Sequence, residues 1–325
     1  MINHRYIKIA SFVLTLVILT ACGGAPAPAV QPTSPPPAEP TSTATPEPSL
    51  GSSRVNPVDG AVLVYVPEGE FLRGSDHEQA SFMEKPQRSI YLDAFWVYQH
   101  PVTNAQFAAF VDASGYQTTA EGAGWSWAYD GEESVEMDGA AWQTPEGPGS
   151  SITGRDDYPV LHVSWFDVQA YCAWADGRMP TEAEWEKAAR GDDGRNYPWG
   201  DSPVTGERAN YCDVNCPFEW ADADQDDGYL GPSPVGSYPA GASPYGALDM
   251  VGNVWEWAAD WFSEIYYEFS HEDNPKGSTS GDFRVVRGGS WYNKASSMRV
   301  TFRQGFPPDL TIDMLGFRCV QPAGD

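Results

Sequence analysis

The sequence predicts an α+β domain with much irregular structure, and three observations lead to this prediction. Three segments begin with a hydroxyl residue followed three positions later by a side chain that can return the hydrogen bond, a signature of helix N-termini. Short runs of β-type residues flank these segments. The chain also contains 13 Trp and 32 Gly, a composition typical of loop-rich domains whose aromatic side chains fill the core. Few helices are therefore expected.

Local capping signals give the predicted helices their ends. The three helix starts pair a hydroxyl with a returning side chain: Thr103 with Gln106, Ser164 with Asp167, and Thr181 with Glu184. The first helix is expected to stop at Ser114-Gly115 and the second before Asp176-Gly177, because glycine commonly ends a helix. All three are expected to be amphipathic, the third with Trp185 on its apolar face. β-type runs cover 61–66, 89–92 and 283–287, whereas 192–249 has mostly turn chemistry.

Residues 1–22 have the layout of a secretory signal. Arg5 and Lys8 precede an apolar stretch from Ile9 to Leu19, which is shorter than the roughly 20 residues that cross a bilayer. The end of this segment, Leu-Thr-Ala-Cys22, resembles the lipobox of bacterial lipoproteins, in which the cysteine is acylated. The alternative is an ordinary signal in which Cys22 is incidental. We expect lipid on Cys22 and an extracytoplasmic protein anchored to a bacterial membrane.

The chain after Cys22 divides into a spacer and one domain. Residues 23–54 are almost wholly Pro, Ala, Ser, Thr and Gly without aromatic residues, so this linker is expected to be disordered. Residues 55–322 are predicted to form a single domain, because no second Pro/Ser-rich linker divides them. The formal charge of −26 would repel nucleic acid, so no nucleic-acid partner is expected. An acidic surface suits cations, although it also serves solubility.

Ordered motifs within the domain carry a resemblance to a known family. They are Val64-Tyr-Val-Pro-Glu-Gly-Glu-Phe71, Pro101-Val-Thr-Asn-Ala-Gln-Phe107, Pro159-Val-Leu-His-Val-Ser-Trp165, Gly177-Arg-Met-Pro-Thr-Glu-Ala-Glu-Trp185, Tyr197-Pro-Trp-Gly200, the run from Gly246 to Trp257, Arg287-Gly-Gly-Ser-Trp291 and Leu315-Gly-Phe-Arg-Cys319. Together they resemble the formylglycine-generating enzyme, or sulfatase-modifying factor, family. The match runs from Val62 to Val320. It implies a loop-rich fold related to C-type lectins.

The resemblance also implies an activity, which the residues of this chain do not support. The best-known members oxidise the cysteine of a Cys-x-Pro-x-Arg segment in an unfolded sulfatase to formylglycine, using copper held by two cysteines. Counting from Ser290 puts Asn293 and Met298 at those two positions. Copper(I) needs soft, anionic sulfur, which an amide and a thioether do not supply. We therefore expect no copper and no oxidase activity. Other relatives do different chemistry or none, so the fold does not settle whether the chain is an enzyme.

A binding groove remains when the copper pair is removed. Four residues match pocket positions of the family or lie beside them: Trp255, Ser290, Trp291 and Asn293. The alternative for the Trp residues is core packing. The five His include no pair at helical ligand spacing, so a facial-triad iron site has no support. His162 is expected to be a buried, hydrogen-bonded residue rather than a base.

The resemblance assigns the cysteines of the domain. Cys172 and Cys319 match two family cysteines that are bridged, and such a bond contributes about 2 to 5 kcal/mol. Cys212 and Cys216 are then left to pair as a local staple. The alternative is a thiol pair that binds metal or takes part in redox chemistry, but no second pair or nearby His completes a zinc site.

Two oxygen-rich segments match family calcium sites residue by residue. The first comprises Asn210, Tyr211, Asp227 and Tyr229, and the second Asp249, Gly252, Val254 and Glu256. Ca²⁺ binds such mixtures of carboxylate, amide and backbone carbonyl oxygens. The alternative is that these side chains only solvate turns. We expect two structural calcium ions that stabilise the folded domain.

Three functions are compatible with the sequence. The first is a calcium-stabilised binding module that uses the groove for a peptide or a glycan. The second is a protein-modifying enzyme, either the family's oxidase acting through an unrecognised site or a related activity. The third is a structural component of the cell envelope. The sequence does not identify the ligand or client.

Overall fold

The computed structural model describes residues 47–324. The predicted signal peptide, Cys22 and linker residues 23–46 lie outside the described residues. The first strand begins at Ser53, two residues before the predicted domain start at 55. None of the helices between residues 47 and 324 is long and apolar enough to cross a membrane.

All three predicted helices are present with their predicted caps. The helices are α1 (Asn104–Ser114), α2 (Thr119–Ala123), α3 (Trp165–Trp174), α4 (Glu182–Arg190) and α5 (Tyr266–Phe269). Thr103, Ser164 and Thr181 each accept a hydrogen bond from a backbone N–H in the first turn, as the capping boxes predicted. Helix α2 was not predicted, because five residues that include Gly122 show no helical periodicity, although Thr118 forms a fourth capping box.

Twelve short strands form two four-stranded sheets and two hairpins in the described chain. The strands are β1 (Ser53–Val55), β2 (Val62–Val66), β3 (Gly69–Arg73), β4 (Arg88–Leu92), β5 (Phe95–Tyr98), β6 (Trp125–Tyr129), β7 (Ser134–Asp138), β8 (Trp255–Trp261), β9 (Arg284–Arg287), β10 (Arg303–Phe306), β11 (Leu315–Gly316) and β12 (Val320–Pro322). One sheet has the order β1-β2-β5-β12 and the other β10-β9-β8-β11; β3-β4 and β6-β7 are hairpins. The three predicted β-type runs coincide with β2, β4 and β9.

The sheet β1-β2-β5-β12 separates two hydrophobic cores. Successive strand residues point to opposite faces, so Leu63 and Tyr98 enter the core beside α1 and α3, whereas Val64 and Val97 enter the core beside α4. Seven of the 13 Trp are buried. This confirms the prediction that aromatic side chains, rather than long regular elements, fill the interior.

Helix α4 is buried on every side, which its sequence did not predict. Its apolar face carries Trp185, as expected, but its polar face is also buried. There the Glu186 carboxylate accepts hydrogen bonds from Arg287 at 2.7 Å and Arg190 at 3.0 Å. Charged residues can be buried when they are paired and hydrogen-bonded. Arg190 lies in the same helix, but Arg287 comes from a distant part of the chain, so the helix sequence alone indicates a solvent-exposed face.

Both predicted disulfides are present. Cys172 of α3 is bonded to Cys319, and the two are 147 positions apart in sequence. Cys212 is bonded to Cys216 within one loop. All four cysteines of the described chain are therefore in disulfides.

Candidate functional site

The segment from Ser290 to Asn293 forms a tight turn after β9. The Asn293 side-chain oxygen accepts hydrogen bonds from the Ser290 hydroxyl at 2.9 Å and the Ser290 N–H at 3.0 Å. The Asn293 carbonyl accepts the N–H of Cys212 at 2.9 Å, which ties the turn to the disulfide loop. Ser290 is fully buried and Asn293 is half-buried. The structure thus places these two predicted site residues in direct contact.

Met298 occupies a different environment from Asn293. Its side chain is fully buried in the core beside α4, packed under Gly289. A thioether in a dry core and an amide in a surface turn do not provide the two thiolates that bind copper(I). The residues at these two positions therefore do not fit copper.

A cavity of about 360 Å³ opens beside the Ser290–Asn293 turn. Four aromatic side chains line it: Tyr129, Trp142, Tyr158 and Trp291. Trp291 is thus a wall of the cavity, as the groove prediction expected, although only 5% of its surface is exposed. A mostly apolar pocket with aromatic walls and a few polar groups is the usual form of a binding site for a small molecule or a single side chain.

Asp313 is an acidic group of this cavity that was not predicted from the sequence; the other acidic lining residue, Glu146, forms an ion pair with Arg155. Its carboxylate accepts the N–H of Tyr129 at 2.7 Å, and no Lys, Arg or His of the described chain forms an ion pair with it. Burial raises the pKa of Asp313 to about 6. Nothing in its local sequence distinguishes it from a turn residue, because the cavity forms only when Tyr129 and Trp291 approach.

Trp255 and His162 are both buried in the interior of the domain. Trp255 is buried in the core beside α1 and α3, where its ring packs near Phe302 and Phe306. It does not line the 360 Å³ cavity. His162 is fully buried and its Nδ1 lies 2.7 Å from the Ser126 hydroxyl. Burial lowers the pKa of His162 to about 4, as expected of a packed residue rather than a base.

The first predicted calcium loop contains an unsatisfied buried oxygen. The Asn210 side-chain amide donates to the Gly231 carbonyl at 2.9 Å, but its Oδ1 atom has no partner among the described residues. The Asp227 carboxylate accepts the N–H groups of Tyr211 and Tyr229, each at 2.9 Å. Burial raises the pKa of Asp227 to about 7. A buried acceptor without a donor is costly, so the loop fits a cation at Asn210.

The second predicted calcium loop shows the same feature at Asp249. One carboxylate oxygen of Asp249 accepts the Gly236 N–H at 2.6 Å, and the other is buried without a partner among residues 47–324. The Glu256 carboxylate already has several partners, because Arg318 and Trp185 donate three hydrogen bonds to it at 2.7 to 2.8 Å. Two carboxylate oxygens accept about four hydrogen bonds or ligand contacts. Glu256 therefore retains one free position.

Neither predicted calcium site gathers a cluster of acidic side chains around one point. Within residues 47–324, no group of three or more His, Cys, Asp or Glu side chains is arranged to hold a metal ion. Each predicted site has only two side-chain ligands and relies on carbonyls of Tyr211 and Tyr229, or of Gly252 and Val254. Loops that combine side-chain and carbonyl oxygens in this way are compatible with Ca²⁺ rather than with transition metals.

The comparisons with known proteins agree with this fold. The chain matches the sulfatase-modifying factor enzyme 1-like domain family over residues 49–323. It is 38% identical over 283 residues to the formylglycine-generating enzyme of Thermomonospora curvata, covering 79% of this chain and 92% of that protein. It is also 38% identical over 284 residues to the inactive C-alpha-formylglycine-generating enzyme 2 of Mus musculus, covering 81% of this chain and 86% of that protein.

A solved structure shows the same fold. PvdO from Pseudomonas aeruginosa superposes on this chain with a TM-score of 0.67 and 23% identity, covering 85% of this chain and 99% of PvdO. The fold is therefore the loop-rich α+β class that the sequence predicted. The chain belongs to the sulfatase-modifying factor family. Because relatives of similar identity include one named as inactive, membership alone does not fix the activity.

Proposed function

We propose that this chain is a non-oxidase binding module of the sulfatase-modifying factor family, which binds a peptide or a glycan in the groove beside Trp291. The observation that carries the proposal is the pair Asn293 and Met298, which stand where the family resemblance places the two copper-binding cysteines. All four cysteines of the described chain are held in disulfides, so none supplies a thiolate. The cavity beside Trp291 supports binding, since it is present in a chain that lacks the copper pair.

The proposal includes the setting in which the module works. The lipobox-like Cys22 anchors it to a membrane outside the cytoplasm, and the Pro-rich residues 23–54 hold the domain away from the lipid surface. Two calcium ions, held around Asn210 with Asp227 and around Asp249 with Glu256, stabilise the loops that support the groove. The unpartnered oxygens of Asn210 and Asp249 support this part of the proposal.

The alternative function is a protein-modifying enzyme acting on sulfatases. It is favoured by the 38% identity to a protein named formylglycine-generating enzyme. A single assay separates the two functions. The full chain is incubated with copper and a Cys-x-Pro-x-Arg peptide, and the peptide mass is followed over time. The binding module leaves the mass unchanged. Conversion of the cysteine to formylglycine with turnover would contradict the proposal.

A further inference from the structure

Three aromatic side chains form a surface beside Asn293 that lies outside the 360 Å³ cavity. Phe218 and Trp220 stack with ring centroids 4.7 Å apart and planes 9° apart, and Tyr292 packs against Phe218 at 4.3 Å. We call Phe218, Trp220 and Tyr292 the aromatic shelf. Trp220 is exposed over 44% of its surface, whereas seven of the other Trp side chains are buried.

The aromatic shelf is held in place by contacts that limit its motion. The Trp220 Nε1–H donates to the Tyr292 carbonyl at 3.1 Å. The Cys212–Cys216 disulfide precedes Phe218, and the Asp222 N–H donates to the Cys212 carbonyl at 3.0 Å, which closes the loop that carries Phe218 and Trp220. The Cys212 N–H donates to the Asn293 carbonyl. A rigid aromatic surface loses little conformational entropy when a ligand binds. These contacts indicate that the aromatic shelf is a binding surface rather than an exposed loop without a binding role.

A hollow of about 190 Å³ beside the shelf offers hydrogen-bond donors. It is lined by Trp220, Tyr292, Asn293, Lys294 and Ser297. The Asn293 side-chain NH2 and the Lys294 ammonium donate to no acceptor in the described chain. The Asn293 side-chain oxygen, in contrast, already accepts hydrogen bonds from Ser290. The hollow is smaller than the about 300 to 1,000 Å³ of ordinary ligand pockets. It therefore suits one ring of a longer ligand.

We propose that the aromatic shelf binds a neutral pyranose ring of a glycan, and this inference rests on the binding function proposed above. A pyranose ring presents C–H groups on its face, which stack on aromatic rings, and oxygen atoms around its edge. The edge oxygens accept hydrogen bonds from Asn293 and Lys294. The exposed Glu219 carboxylate between Phe218 and Trp220 accepts hydrogen bonds from sugar hydroxyls.

The surroundings of the shelf favour a sugar over a peptide or an acidic polymer. The shelf segments 212–222 and 290–297 contain no β-strand, so a peptide main chain finds no sheet edge to pair with there. The net charge of −26 repels strongly acidic polysaccharides. Tyr129 lies 5.2 Å from Phe218 and also lines the 360 Å³ cavity. A glycan seated on the shelf therefore extends toward the groove.

The test measures binding of cellohexaose and chitohexaose to the full chain by titration calorimetry, with a Cys-x-Pro-x-Arg peptide as a third probe. At least one oligosaccharide should bind, and Trp220→Ala should weaken it about tenfold, because a stacked aromatic contributes about 1.4 kcal/mol. Trp199→Ala is the matched control: Trp199 stacks on Tyr197 at 5.3 Å and its Nε1–H donates to the Ser202 carbonyl at 2.9 Å, away from the shelf. This control should retain wild-type affinity.

Two outcomes would overturn the sugar proposal. Neither oligosaccharide binds the unmodified chain, or Trp220→Ala binds as tightly as the unmodified chain while its melting temperature shows that it is folded. Binding of the peptide alone, lost in Trp220→Ala, would assign the shelf to a peptide and also overturn it. Formation of formylglycine tests the non-oxidase function separately, so failure of the shelf and failure of the function are distinguishable.

Discussion

The backbone N–H of Asn253 donates to the carbonyl of Asn210 at 2.9 Å, and this bond joins the two predicted calcium loops. The neighbouring Gly252 has a φ of +79°, and a Cβ atom there would lie 2.3 Å from the same Asn210 carbonyl oxygen. Only glycine permits this approach. The two loops are therefore in contact, and order in one is expected to support order in the other.

Calcium should stabilise the folded domain through both loops. We expect the melting temperature to be several degrees higher in Ca²⁺ than in chelator, because an ion that binds only the folded state adds stability. Asn210→Ala and Asp249→Asn should each reduce that difference, since each changes an unpartnered buried oxygen. The exposed Asp224→Asn is the control and should leave the difference intact. Equal melting with and without calcium, and no calcium in metal analysis, would remove both sites.

Restoring the thiol pair should restore copper binding. In Asn293→Cys with Met298→Cys, two thiolates return to the positions that the family resemblance assigns to copper, and tight copper(I) binding is expected. Competition with a chromogenic copper(I) chelator measures it. Met298→Cys alone is the control for disturbance of the core, because Met298 is fully buried. If the unmodified chain competes as well as the double variant, the interpretation of this site is wrong.

The long-range disulfide should contribute more stability than the local one. Replacing Cys172 and Cys319 by Ala is expected to lower the free energy of unfolding by about 2 to 5 kcal/mol, because the bond closes a very long loop in the unfolded chain. Replacing Cys212 and Cys216 should cost less, since they are only four positions apart in sequence. Urea denaturation of both double variants provides the comparison. A larger loss for the Cys212 and Cys216 variant would refute this ranking.

Asp260 should make stability depend on pH. Burial, with a smaller effect of Glu182, raises the pKa of Asp260 to about 7, so the folded state favours the protonated carboxyl. The contribution of Asp260 to folding stability is fully present below pH 3.8, the usual pKa of an Asp side chain. This contribution is lost as the pH rises through about 7. Asp260→Asn stays neutral and its amide oxygen can still accept the Glu182 N–H.

The Asp260→Asn variant should therefore gain stability relative to the unmodified chain as the pH rises from 4 to 8. Urea midpoints at several pH values measure this difference, which isolates Asp260 from other buried acids. The exposed Asp112→Asn serves as the control and should follow the unmodified chain. Parallel curves for Asp260→Asn and the unmodified chain would show that Asp260 is not the group responsible.

The buried ion pairs of α4 should contribute more to the free energy of unfolding than surface ion pairs do. Arg287→Met removes the partner of Glu186 in a fully buried pair, and the expected loss is about 3 to 5 kcal/mol. Arg155→Met breaks an exposed pair with Glu146 and should change the free energy of unfolding by at most about 1 kcal/mol. Denaturation of both variants at one pH checks the contrast, and similar losses would contradict it.

Local hydrogen bonding explains why the helix ends were predictable. A cap at Thr103, Ser164 or Thr181 involves residues three positions apart, so its sequence carries the whole signal. The cysteine pairs and the order of motifs were predictable for another reason, because they follow the family pattern over most of the chain. The failure at α2 shows the limit, since a cap before five residues without periodicity is indistinguishable from a turn.

The sequence by itself determined the fold class, the three long helices and the replacement of the copper pair by Asn293 and Met298. Only the tertiary structure decided which side chains meet across long distances in the chain. It buried Trp255 and the polar face of α4, brought Asp313 to the aromatic cavity, and set Trp220 beside Tyr292. Each of these depends on contacts between segments far apart in sequence, and burial and electrostatic environment arise only when those segments pack together.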